Sequence, residues 1–284
     1  MSVTVSTLLA TKMMQTKRLP LWAVLLLWWC CFCFSEGLPY FGTRGRQDGD
    51  DEDGTADGTQ VADAEVVTGK VEVITTQTKA KNGVHRQEFV EVFFQGGSVK
   101  DLHKELRSRA HNLTQFLVGT RRTLHRQPEL MYQEVQTSIL VQDTLRELGI
   151  DYTTGWAVNT HQDVIPGKGG YGIVADIGTS TEPCVLLRAD IDALPILEKT
   201  EGVDGFKSRS DGRMHACGHD GHTTMLLGAA ALLKDMEDSI NGTVRIMFQP
   251  AEEGGAGAKR MREEGILQKE PKPQYAFGMH VWPT

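Results

Sequence analysis

The spacing of apolar positions changes several times along the chain, and each change predicts an element. Val71, Val73 and Thr75 alternate with polar residues before Asn82-Gly83, and Phe89, Val90 and Val92 follow it. That pattern predicts a β-hairpin, with Gly96-Gly97 as a hinge behind it. From Leu102 the period lengthens. Leu102, Leu106, Leu113, Phe116, Leu117 and Leu124 predict one amphipathic helix that stops before Pro128. A second helix is expected over Val135 to Leu148, closed by Gly149. Tyr171 to Ile177 and Cys184 to Arg188 read as strands, the latter continuous enough to be buried on both faces. The helix after His222 carries Gly228, Ala229, Ala230 and Ala231 and should lie tightly on a sheet. Thr243 to Phe248 predicts a strand, Ala256 to Glu264 a helix and Tyr275 to Val281 a further strand. Strands alternating with helices predict an α/β layered domain.

The N-terminal third follows other rules. Leu19 to Phe34 is almost purely apolar behind Lys17 and Arg18, with Ser35 and Gly37 at a spacing that suits signal-peptidase cleavage. Residues 1–37 therefore read as a signal peptide, and the protein as one of the secretory pathway, in the endoplasmic reticulum lumen or secreted. The run falls short of the roughly twenty residues a spanning helix needs; membrane attachment is expected only if it stays uncleaved. Residues 38–69 read as an acidic flexible linker, and residues 70–98 as the hairpin extension. The net charge of -7 changes meaning in this light. Asp48, Asp50, Asp51, Glu52, Asp53 and Asp57 supply most of it, so the remainder is near neutral and no nucleic-acid partner is indicated. Removal of the leader takes Cys30, Cys31 and Cys33 with it. Cys184 and Cys217 then remain, too few for a disulfide framework.

Candidate chemistry concentrates in Met214-His215-Ala216-Cys217-Gly218-His219-Asp220-Gly221-His222, just ahead of an apolar helical run. Cys217 and His219 offer a soft and a borderline metal ligand, and Gly218 and Gly221 let backbone fold closely around an ion. A Cys184–Cys217 bridge is the alternative for the thiol. Two further strand ends carry acids: Asp190 and Asp192 after Val185 to Leu187, and Glu252-Glu253 after Val244 to Phe248. Adjacent carboxylates repel. A metal resolves this if one carboxylate binds it while the other stays free as a general base for water. Asp190 could bind the ion or orient a liganding imidazole, and Asp192 is equally a turn residue leading into Pro195 or a functional one. His280, an ordinary core histidine if read alone, completes a set of Cys, His, Glu and His. His125 and His215 read as substrate-facing or structural, and His222 as a capping or packing residue.

Together, HACGHDGH, LRADIDALPI, FQPAEEGGAGAKRM, HRQPEL and GMHVWP resemble the dinuclear metallo-aminoacylases, which include hydrolases of indole-acetyl amino acid conjugates and hippurate hydrolases. The resemblance runs from about Leu113 to the end. It implies a zinc-exopeptidase-like α/β catalytic domain with an inserted lid and dimerisation domain, and two divalent ions, manganese or zinc, with cobalt also known in the family. It implies Cys217, His219, Glu253 and His280 as metal ligands, Glu252 as catalytic base and Asp190 as an accessory acid. The implied substrate is an N-acyl amino acid, and the implied full-length form a homodimer. Residues 99–284 then correspond to the N-terminal part of the catalytic domain; the lid, the closing strands and one more histidine ligand are expected beyond Thr284. Reduced activity is expected of this stretch alone, with a metallo-dipeptidase or carboxypeptidase, or a noncatalytic relic, as alternatives.

Overall fold

A computed structural model describes residues 2–5, 71–77, 88–94, 97–203 and 205–282, with side chains from residue 101 onward. The apolar run Leu19 to Phe34 expected to be a leader, residues 38–69 expected to be a linker, and Asn82-Gly83 lie outside the described residues. Strands β2 (Val71–Gln77) and β3 (Glu88–Phe94) pair antiparallel with Thr75 opposite Val90, and β4 (Gly97–Ser98) joins them in a small sheet.

The expected single helix over Leu102 to Leu124 is two helices, α1 (Val99–Asn112) and α2 (Thr114–Arg126). At Asn112-Leu113-Thr114 the Leu113 amide bonds back to Ala110, and the Thr114 hydroxyl donates to the His111 carbonyl. Asn is a weak helix former and a threonine hydroxyl competes for backbone acceptors, so the chain turns there. Each half keeps its own buried ladder: Leu102, Leu106 and Ala110 in the first, Leu117 and Leu124 in the second. Helix α3 (Val135–Glu147) follows, then β5 (Tyr152–Val158), which the apolar pattern does not announce.

The main sheet runs β1-β9-β7-β8-β6-β5. At its centre β7 (Cys184–Asp190) lies parallel to both β8 (Thr243–Gln249) and β9 (Pro273–Trp282). On one side β6 (Gly169–Gly178) and β5 continue antiparallel, and on the other β1 (Ser2–Val5) pairs antiparallel along β9. Alternate residues of each strand face opposite layers. Val185, Leu187, Ile246 and Phe248 pack with Val141, Leu145 and the buried helix α4 (His219–Asp235), while Val174, Leu186 and Met247 pack with Met261 of α5 (Gly257–Glu263) and Ile266. Helices therefore cover both faces, and β8 is buried along its whole length. Small side chains make the close seat of α4 possible: Gly228, Ala229, Ala230 and Ala231 are all among its buried residues.

This topology sends three strand ends and one helix start to a single edge. Asp190 ends β7, Gln249 ends β8, His280 lies two residues before the end of β9, and His219 opens α4. The carboxyl edge of parallel strands is where open α/β sheets assemble their sites.

Candidate metal centre

The turn into α4 brings Cys217 and His219 to that edge. Gly218 between them has φ +84, and a Cβ there would stand 2.4 Å from Val281 Cγ2, so both its backbone conformation and its neighbour demand glycine. Cys217 Sγ lies 3.2 Å from His280 Nε2, and His219 Nε2 lies 3.7 Å from Glu253 Oε1. The donor atoms of Cys217, His219 and Glu253 all fall within 4.8 Å of one another.

The remaining ring atoms decide which nitrogens are free. His219 Nδ1 lies 2.9 Å from the Asp192 carbonyl oxygen and His280 Nδ1 lies 2.6 Å from that of Val281; both nitrogens are therefore assigned as N–H donors, leaving each Nε2 lone pair toward the centre. His219 Nε2 and Glu253 Oε1 are buried with no hydrogen-bond partner among the described residues. Two unpartnered polar atoms facing each other across this gap are costly unless a cation joins them. The donor set of thiol, imidazole and carboxylate fits a divalent ion. Such a centre also competes with a proton: burial lowers the His219 pKa, but its neighbours Asp192, Cys217 and Asp190 push it up to about 11.

His222 belongs to a different network, although it stands in reach of Asp190, His219 and His280. Its Nδ1 lies 2.5 Å from Asp190 Oδ1 and its Nε2 accepts the Val281 amide at 3.0 Å, so both nitrogens are taken. This is the packing role its sequence position suggested. Asp190, fully buried, receives this bond and an ion pair from Arg188 Nη1 at 2.7 Å. Burial works to raise its carboxyl, but His222, Arg188 and His219 outweigh it and hold the group well below the usual carboxylate range. Its other oxygen, Oδ2, lies 3.5 Å from His219 Nε2.

Asp192, which the sequence left between turn and function, does more than cap. Its carbonyl fixes His219, and its Oδ2 accepts the Glu253 amide at 2.9 Å, tying the two donor-bearing loops together. The Asp-x-Asp spacing at a strand end was the available signal. Glu252 stands apart from these buried acids: its side chain is 41% exposed against 20% for Glu253, with Oε2 3.9 Å from His219 Nε2. It alone of the pair faces the open side. Cys184 begins β7, at the end of the strand opposite Asp190, and both it and Cys217 are free thiols; the disulfide alternative is set aside.

A cavity of about 660 Å³ opens beside Cys217 and His280, with Val203, Phe206, Met214 and Trp282 among its walls. Within its lining, His125 Nδ1 lies 2.7 Å from Asp220 and its Nε2 lies 3.1 Å from Glu198, and Arg121 reaches Asp220 at 3.5 Å. Two acids thus face a cation and an imidazole. Burial lowers the His125 pKa, yet the two carboxylates raise it overall. His215 is buried without partners among the described residues, and burial draws its pKa down to about 4, so it is neutral at pH 7.

A thiol, imidazoles and carboxylates that could hold a metal ion thus gather at the carboxyl edge of a helix-covered mixed α/β sheet. Comparison with known proteins agrees: residues 186–284 match Peptidase family M20/M25/M40. The chain is 48% identical over 166 residues to the IAA-amino acid hydrolase ILR1-like 5 of Arabidopsis thaliana, covering 58% of this chain and 34% of the relative. It is 47% identical to the N-acetyl-L-cysteine deacetylase of Bacillus subtilis, covering 58% and 38%, and 42% identical to Thermostable carboxypeptidase 2 of Saccharolobus solfataricus, covering 64% and 43%. Among solved structures, the Bacillus subtilis YXEP protein, described as a dinuclear metal binding peptidase from the M20 family, aligns with TM-score 0.52 and 40% identity over 61% of this chain and 44% of its own. The chain thus spans between about a third and under half of these relatives. The resemblance carried by its motifs and the α/β catalytic fold both stand.

Proposed function

We propose that the protein is a metal-dependent amidohydrolase that cleaves N-acyl amino acids to a carboxylic acid and a free amino acid. The observation that carries this is the pairing of roles at one edge: unpartnered, buried donors on His219 and Glu253 converge with Cys217 and His280, while the adjacent Glu252 stays accessible. Cys217, His219, Glu253 and His280 would hold two divalent ions, manganese or zinc. When bound, these ions supply Lewis acidity toward the amide carbonyl and the attacking water. Glu252 takes the proton from that water and passes it to the departing nitrogen, Asp192 keeps the His219 imidazole oriented through its carbonyl, and Asp190 is an accessory acid beside it. The cavity beside Cys217, apolar along Phe206, Val203 and Trp282 and with its acids already paired, receives the uncharged acyl half. Secretory targeting by residues 1–37, whose cleavage would take β1 out of the sheet, and a homodimeric full-length form belong to the same reading.

Carboxypeptidase relatives support a second reading, in which the substrate is a peptide with a free carboxyl end. Purified full-length protein loaded with Mn²⁺ or Zn²⁺ and offered N-acyl amino acids and unblocked dipeptides separates the two. Preferred turnover of the acylated substrates is expected; preference for the dipeptides would replace the first reading with the second.

A further inference from the structure

Beneath the Glu252-Glu253 loop lies an acid that the reaction above does not use. Glu134, just before α3, is 0% exposed. Its Oε1 accepts the Ala251 amide at 2.8 Å, while its Oε2 is buried with no partner among the described residues. The loop it touches is wound tightly. Ala251 and Ala256 both adopt positive φ, +56 in each, a conformation that side-chain-bearing residues hold only when their surroundings impose it. The Ala251 carbonyl accepts the Gly257 amide at 2.9 Å, and a Cβ on Gly257 would stand 1.7 Å from the Pro250 oxygen. Tyr132, two residues ahead of Glu134, donates its hydroxyl to the Gly255 carbonyl.

Side chains thus hold the loop by its amides at two points flanking Glu252: Ala251 bonds to Glu134 and Glu253 to Asp192. Asp192 also orients His219, so its part follows from the metal site. Among the described residues, Glu134 makes no side-chain hydrogen bond to any of the four donor residues.

We propose that Glu134 is a positioning residue, which sets the general base Glu252 and the donor Glu253 by holding the Ala251 amide in its left-handed turn. The proposal rests on the roles assigned to those two glutamates. Chemistry fits the task. Burial, with a further push from the charge of Asp192, lifts the Glu134 carboxyl to about 8 although its backbone bonds work the other way, so at neutral pH it is mostly a neutral acid. A neutral acid offers the Ala251 amide a carbonyl oxygen, as a glutamine side chain would. What the site requires is therefore the acceptor and its reach rather than the charge.

Glu134→Gln keeps both acceptor and length, whereas Glu134→Met fills the same space without an acceptor. The decisive measurement is amide exchange in residues 250–257 of the metal-free full-length protein, compared with exchange in β7 and β8. Glu134→Met is expected to speed exchange in the loop about tenfold, the equilibrium weight of one net hydrogen bond, and to leave the two strands protected. Mn²⁺ affinity measured by calorimetry should fall by a similar factor, and kcat should fall while KM stays near its original value. Glu134→Gln should match the wild type within about twofold on each measure. Unchanged loop exchange in Glu134→Met, acceleration spread equally over β7 and β8, or a Gln variant as impaired as the Met variant would each overturn the proposal. Should the Met variant not fold, Glu134→Asp, one methylene too short to reach Ala251, is read in the same way. A wild-type protein that neither binds Mn²⁺ nor hydrolyses an amide defeats the functional reading, while the exchange comparison still decides what Glu134 does.

Discussion

Glu252 and Glu253 are chemically identical neighbours, and the fold gives each different surroundings. Glu253 turns inward toward His219 with its amide held by Asp192, while Glu252 keeps an exposed carboxylate beside the same imidazole. Glu252→Gln should cut kcat by at least about 10²-fold, the usual contribution of a general base, while leaving divalent-ion affinity unchanged in calorimetry; near-normal turnover would remove Glu252 from the base role. Glu134 gives a second expectation, on stability. Its carboxyl is ordinary in the unfolded chain and lifted to about 8 in the folded one, so the folded state holds the proton more tightly. The stability this confers is complete below the unfolded pKa and is lost as pH climbs toward 8. A tenfold difference in proton affinity between the two states is worth about 1.4 kcal/mol. Glu134→Gln, which cannot titrate, should therefore melt at least about 2 °C above wild type at pH 8 and lose that advantage by pH 5. Equal melting differences at both pH values would contradict a buried neutral acid. Glu134 could not be singled out from the sequence, because a lone acid reads the same whether it lies on the surface or under a loop; Asp192 was marked by its Asp-x-Asp spacing, but what it holds shows only in the fold. The clustered donors were legible because thiol, imidazoles and glycines rarely crowd together without a shared task.

Elements were readable where burial imposed a period. Strands β6, β7 and β8 emerged from the sequence because both of their faces meet helices or neighbouring side chains, which forces apolar runs. Strand β5 left no such trace. It stands at the sheet's edge, mostly exposed, with register shifts and positive φ at Gly155 and Ala157, so no alternation is required of it. The α1–α2 break was hidden for the opposite reason, since apolar spacing carries on across a turn that only backbone hydrogen bonds reveal. Strand β8 contains one charged exception to its apolar rule. Arg245, fully buried, grips Asp176 of β6 with two bonds of 2.7 and 3.0 Å and donates to the Lys269 carbonyl at 2.8 Å. Arg245→Ala should destabilise the domain by about 3 kcal/mol in urea unfolding, because it leaves the mostly buried Asp176 carboxylate with the half-exposed Lys269 as its remaining cation. An Asp176→Leu change added to it should recover part of that loss, and a double variant weaker than the sum of the singles would contradict the pairing.

For the molecule as a whole, the four donors come from widely separated segments that meet only after the central strands and α4 have packed. Cys217 and His280 are 63 residues apart in sequence yet 3.2 Å apart in space. Any ion held between them favours the folded state by its binding free energy, about 2.7 kcal/mol when present at a hundred times its dissociation constant. Stripping metal with a chelator should lower Tm by several degrees, and restoring Mn²⁺ or Zn²⁺ should reverse the drop; an unchanged melting curve would argue against the centre. Metal uptake should also strengthen with pH, because binding must displace the proton that its acidic neighbours hold on His219. These expectations share a physical root in β9. That strand pairs with β7 on one side and with β1 on the other, and near its end His280 and Val281 meet the turn and helix that carry Cys217 and His222. In a cell starved of transition metals the clasp would hang open, the carboxyl-terminal hem of the sheet would fray first, and proteases would find their earliest purchase there, so the protein's lifetime would follow the mineral supply.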